Sequence, residues 1–155
     1  MSDTVKSLTR VSLVIEASAK RVFAELSDGW AYVGWVVGAS HISGVDASWP
    51  AVGSKIQHQV GIWPMVISDD TESKACEPDE LLLLQASAWP LGQATVEIRL
   101  EAQSADRTRV TIGEAPSAGP GVWLDNRVLR WALKRRNVET LQRLKDRAEN
   151  RTMPR

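Results

Sequence analysis

The chain has 155 residues, enough for one ordinary domain with a real core and too few for two. Hydrophobic residues make up 43% and charged residues 25%, which excludes a disordered chain, and a formal net charge of zero supplies no global attraction to nucleic acid or an anionic membrane. The single cysteine, Cys76, excludes an intramolecular disulfide framework and a cysteine-based metal cluster.

In chain order, Val11, Leu13 and Ile15 alternate with polar neighbours, so residues about 8–16 read as a half-buried strand. Ser18 is a plausible N-cap for a short helix that puts Val22, Phe23 and Leu26 on one face. Ser27-Asp28-Gly29 breaks it, and Asp28 can cap a second short turn carrying Trp30, Val33 and Trp35. From there the period switches to two. Strands are expected near 39–46, 53–62, 65–76, 80–89, 91–104 and 107–115, with turns at Asp46–Pro50, Trp63-Pro64, Glu77-Pro78-Asp79, Trp89-Pro90 and Ser104-Ala105-Asp106. Short connections make consecutive strands antiparallel neighbours. After the loop-rich segment 115–121, residues 122–150 contain no Gly or Pro and read as one long helix with an apolar stripe through Leu129, Leu133, Val138, Leu141, Leu144 and Ala148.

This order predicts one α+β domain over residues 1–155. A sheet with one apolar face and a helix with one apolar stripe must bury each other. A strongly bent sheet cannot close fully on one helix, so a cavity is expected between them.

The residues also resemble a family. Val14-Ile15-Glu16-Ala17-Ser18 running into Val22-Phe23, Leu26-Ser27-Asp28 with Trp35 soon after, Gly53-Ser54, Cys76-Glu77-Pro78 before Leu81-Leu82, and Arg107-Thr108-Arg109-Val110-Thr111 are similar to the START-like, or SRPBCC, superfamily, and among its branches to the polyketide cyclase/dehydrase-like one. The resemblance covers nearly the whole chain. It implies a helix-grip fold of β-α-α-β6-α order, as in the birch-pollen-allergen-like proteins, with a curved antiparallel sheet of about seven strands around a long C-terminal helix. It also implies a cavity for lipids, polyketides or similar hydrophobic molecules, used by some members for catalysis and by others for carriage or sensing.

Three polar side chains are candidates for chemistry there. His58 shares its phase with Ile56, so it is either a satisfied core histidine or an inward acid–base group. Asp69 lies mid-strand in the phase of Ile67; it reads as a cavity carboxylate with a raised pKa, or as part of a solvated bulge. Glu114 follows Val110 and Ile112, either facing the cavity mouth or ending the strand in solvent. Asn137, beside Arg135 and Arg136, is a candidate head-group contact or simply a solvated helix face. Seven tryptophans stand against one Tyr and one Phe, and Trp30, Trp35, Trp63, Trp89 and Trp131 are candidate cavity walls.

Other chemistries lack their parts. Two histidines, His41 and His58, without metal-ligand spacing give no basis for a metal site, and neither a phosphate loop nor a nucleophile elbow occurs. No cofactor is expected. The basic stretch Lys134-Arg135-Arg136 lacks interleaved aromatics, so no nucleic-acid partner is expected. The longest apolar stretch, Leu81–Leu84, is too short to span a bilayer, and residues 1–10 lack a signal-peptide core; a cytoplasmic location without stable membrane insertion is the default. Three functions remain: binding of a small hydrophobic or amphipathic molecule, a cyclase/dehydratase-type enzyme in the same cavity, and a protein-interaction or co-chaperone-like module.

Overall fold

A computed structural model describes residues 8–62, 64–88, 92–119 and 127–150. After strand β1 (Thr9–Ile15), Ser18 accepts a hydrogen bond from Arg21 N at 3.1 Å and starts helix α1 (Ala19–Ser27). This removes one of the orphan donors of the first turn. Asp28 ends α1 and caps the next turn: its carboxylate accepts from Trp30 N and Ala31 N at 3.1 and 3.3 Å, setting a 3₁₀ turn (Gly29–Ala31) that runs into the four-residue helix α2 (Tyr32–Trp35).

Six more strands complete the sheet: β2 (Ala39–Val45), β3 (Lys55–Ile62), β4 (Met65–Glu77), β5 (Leu81–Ala88), β6 (Gly92–Ser104) and β7 (Arg107–Ala118). With β1 they form one antiparallel sheet in the order β1-β7-β6-β5-β4-β3-β2. Every hairpin pairs sequence neighbours; the crossover from β1 to β2 carries the two short helices. Register shifts interrupt the β2/β3, β4/β5 and β6/β7 ladders, and such bulges bend and twist a sheet, giving the curvature that the grip needs. β7 continues to Ala118, past its expected end near residue 115. Pro116 is tolerated there because β1 already stops at the Thr9↔Glu114 pair, so one side of β7 has no ladder to donate to.

The long helix α3 (Arg127–Asn150) closes the architecture, which is the expected α+β helix-grip fold in β-α-α-β6-α order. The expected start of the helix at residue 122 lies outside the described residues. Ile15, Leu82, Ile98, Val110 and Ile112 of the sheet meet Leu141 and Leu144 of α3, all at most 2% exposed. The stripe expected along α3 needs one correction. Val138 is 53% exposed, and the inward face runs instead through Asn137, Thr140, Leu141, Leu144 and Ala148. The helix thus packs apolar residues on the core in its C-terminal half and presents polar ones to the sheet further up.

A buried charge cluster joins α1 to α3. Glu25 is fully buried and accepts from Arg21 at 2.9 Å and from Arg147 at 3.0 Å; Arg21 also donates to the Arg147 carbonyl at 3.2 Å. The Arg147 guanidinium passes so close to Gly34 that a Cβ there would lie 2.6 Å from its Nη1, so a larger residue at that point of α2 would make the guanidinium shift.

Candidate functional site

Between sheet and helix lies a cavity of about 110 Å³. Its walls are apolar side chains of β5, β6 and β7, such as Leu84, Val96 and Ile112, and residues of α2 and α3 complete the lining. Two sets of polar residues reach it, one through Tyr32 and His58 and the other through Glu114, Arg136 and Asn137.

The first is a chain of three buried side chains. Lys55–Ile62 pairs with β4 without a shift, so Ile56↔Thr71 and His58↔Asp69 are cross-strand pairs on one face. His58 Nε2 lies 2.9 Å from Thr71 Oγ1, and the same hydroxyl lies 3.1 Å from the Tyr32 hydroxyl. The Tyr32 ring stacks on the imidazole at 5.4 Å and 26°, and meets Trp35 edge-on at 5.2 Å. Burial lowers the His58 pKa below 6.5, opposed by the charges of Asp69 and Asp70, so the ring is neutral at pH 7. Burial likewise raises the pKa of Tyr32, which keeps its proton, against the lowering effect of its hydrogen bond to Thr71. Because Thr71 has one proton and two partners, two arrangements keep that proton within the chain. Tyr32 donates to Thr71 and Thr71 to His58 Nε2, leaving Nδ1 as an N–H. Alternatively Nε2–H donates to Thr71 and Thr71 to Tyr32, leaving Nδ1 as a lone pair and the phenol proton free.

The second is a carboxylate held by the helix. Glu114 is 3% exposed; the Arg136 guanidinium bonds both its oxygens and Asn137 Nδ2 donates to Oε2 at 2.9 Å. A buried carboxylate survives only with such partners. Thr140, one turn on, accepts from Val37 N at 3.3 Å and ties α3 to the segment leading into β2.

Among the described residues, three buried side-chain polar atoms have no hydrogen-bond partner: Trp35 Nε1, His58 Nδ1 and Asp69 Oδ2. Orphaned groups of this kind are rare in folded proteins and concentrate where a ligand or a reaction uses them.

Of the sequence candidates, His58, Glu114, Asn137 and Trp35 come together in the cavity lining. Asp69 stands opposite His58 in register, half-buried, in a regular stretch of ladder rather than the alternative bulge, and does not line the cavity. Trp30 is displaced from its expected role: it is 63% exposed because the 3₁₀ turn points it outward. Trp131 is 59% exposed on the outer side of α3, where Arg135 lies 5.2 Å over its ring. Trp63 and Trp89 lie outside the described residues. Tyr32, Thr71, Arg136 and Thr140 were not singled out by sequence reasoning. Thr71 had one usable signal, the period-two phase that it shares with Asp69. Among the described residues no group of His, Cys, Asp and Glu is placed to hold a metal ion, and no helix is long and apolar enough to cross a membrane.

The fold and its site define a helix-grip protein with an internal, mostly apolar cavity. No protein-family model and no curated protein matches the sequence. Solved structures match over most of its length. The Zhui aromatase/cyclase from Streptomyces sp. R1128 is 16% identical with a TM-score of 0.69, covering 92% of this chain and 93% of that one. A conserved protein from Geobacillus kaustophilus is 14% identical with a TM-score of 0.70, covering 91% and 94%. The di-domain ARO/CYC BexL of the BE-7585A biosynthetic pathway is 17% identical with a TM-score of 0.64; the match covers 97% of this chain and 54% of that one, so this chain spans about half of BexL. At these identities the likeness is one of fold.

Proposed function

We propose that the protein is a START-like, SRPBCC-type domain that binds a small hydrophobic or amphipathic carbonyl compound in the cavity and acts on it as a cyclase/dehydratase-type enzyme. The observation that carries this reading is His58: buried, neutral at pH 7, hydrogen-bonded through one nitrogen and unpartnered at the other. In the arrangement where Nε2–H donates to Thr71, Nδ1 carries the lone pair, and in this reading it becomes the base that takes a proton from carbon next to a carbonyl once a ligand displaces the packing that covers it. The electron pair then moves onto the carbonyl oxygen. Trp35 and Asn137 belong to the same lining, and in this reading the covered indole N–H and the amide N–H that Glu114 does not hold would stabilise that oxyanion. The freed phenol proton of Tyr32 is a second acid for the departure of water. The fold's likeness to two aromatase/cyclases supports the enzyme reading over simple carriage.

The test is proton exchange on a ligand small enough for the cavity. Acetophenone in heavy water, followed by NMR, should incorporate deuterium at its methyl group faster with protein than without. His58→Gln should lower the protein-dependent rate at least about 100-fold, the usual scale of general-base catalysis. Equal rates for the two proteins would reject the role of His58. Binding of acetophenone with no exchange would reject the enzyme and leave the second reading, a carrier or sensor of the same class of molecule.

A further inference from the structure

A second space lies on the outer side of α3: an open groove of about 740 Å³ with apolar walls from Val37, Trp131 and Val138 and a basic rim from Lys134 and Arg135. Two residues line both spaces. Val37 and Arg136 belong to the wall of the inner cavity and to the wall of the groove, so this pair is the partition between them. Polar ties hold the partition in place: Val37 N donates to Thr140 Oγ1, and Arg136 is clamped on Glu114. Gly38 comes next with a φ of +99°, a backbone state natural to glycine, which turns the chain sharply into β2 just behind Val37.

Charge divides the two compartments. Inside, Arg136 is matched by Glu114. Outside, among the described residues, Lys134 and Arg135 share the groove with one carboxylate, Glu139, which Arg143 already holds at 2.5 Å. The groove is therefore net basic as well as partly apolar. Size points the same way, because about 110 Å³ is below the roughly 300–1,000 Å³ typical of sites for drug-sized ligands. A ring fits inside, and a longer molecule has the adjoining groove to continue into.

We infer that the site has two compartments, and that its natural ligand is an amphipathic molecule whose apolar ring sits in the cavity and whose anionic end lies in the outer groove against Lys134 and Arg135. The inference rests on the cavity-binding part of the proposed function and adds the ligand's charge and its direction through the wall. Carboxylate and phosphate ends satisfy the groove equally in kind, and Trp131 supplies the apolar floor along which the connecting chain runs.

The experiment compares three probes with the same ring and chain: phenylbutyrate, phenylbutyl phosphate and uncharged phenylbutanamide. Titration calorimetry at low salt is run on the wild-type protein and on the surface variant Lys134→Gln/Arg135→Gln. The expected result is that the anions bind roughly five- to tenfold more tightly than the amide, the scale of two partly exposed ion pairs. That advantage should shrink as salt is raised and vanish in the variant, while the amide binds both proteins equally. A larger advantage for the phosphate identifies a phosphate end, and equality of the two anions identifies charge alone as the feature read. Equal binding of all three probes to both proteins overturns the inference and leaves the cavity reading standing. If none of the probes binds, the cavity reading falls with it.

Discussion

A neutral imidazole inside a protein is a pH-dependent liability. In the unfolded chain His58 binds a proton near pH 6.5, whereas burial lowers its folded pKa. As pH falls below about 6.5 the unfolded state takes up a proton that the folded state resists, so stability present above that pH is progressively lost down toward the folded value. Denaturant unfolding between pH 7.5 and pH 5 should therefore show a falling stability in the wild-type protein and a flatter profile in His58→Gln. Parallel profiles would mean that His58 is not buried as described. The same residue marks how far sequence could see. The period-two phase of His58, Asp69 and Glu114 was legible because their strands pair regularly across those positions. Tyr32 was not, since a four-residue helix has no periodicity to read, and its partner Thr71 is met only through the fold. Asn137 stayed open between a head-group contact and a solvated face, because a helix with charges on most sides gives no clear inward direction.

At the scale of elements, α3 has two ends with different attachments. Its C-terminal half packs Leu141, Leu144 and Ala148 into the core and is tied by Arg147 to Glu25, by Lys145 Nζ to the Val14 carbonyl at 3.2 Å, and by the Glu149 carboxylate to Glu16 N at 2.8 Å. Glu25 is the pivotal group, because it is wholly buried between two arginines that are only partly so. Glu25→Leu should destabilise the fold by about 2–3 kcal/mol, less than the 3–5 of a fully buried broken pair since both guanidiniums can turn toward water. Thermal unfolding measures it; a loss under about 0.5 kcal/mol would show that the cluster contributes specificity and not stability. Element order and type were readable from alternation, capping and turn residues alone. The face of α3 was not, because Val138 and Asn137 compete for the inward position. The fold chooses Asn137, whose amide meets the carboxylate of Glu114.

For the whole molecule, the question is how a ligand larger than a cavity of about 110 Å³ is admitted between sheet and helix. A curved sheet in which every strand from β1 to β2 pairs with its neighbours is the stiff partner. The yielding partner is the upper half of α3, whose buried residues begin only at Asn137 and which is fastened there through the Glu114 clamp and the Val37–Thr140 hydrogen bond. Local opening free energies track buried apolar packing, so this half should open well below the global unfolding free energy. Hydrogen exchange read by mass spectrometry should find amides of residues 128–138 exchanging faster than those of residues 141–150 in the free protein. A ligand with two fused rings, too large for a cavity of about 110 Å³, should slow exchange of the upper half and of the Val36–Gly38 segment while leaving the lower half unchanged. Uniform protection along α3, with a two-ring ligand still binding, would place the opening in the sheet instead. The helix would then be a fixed wall, and the polar ties at Glu114 and Thr140 would serve to orient a ligand without admitting it.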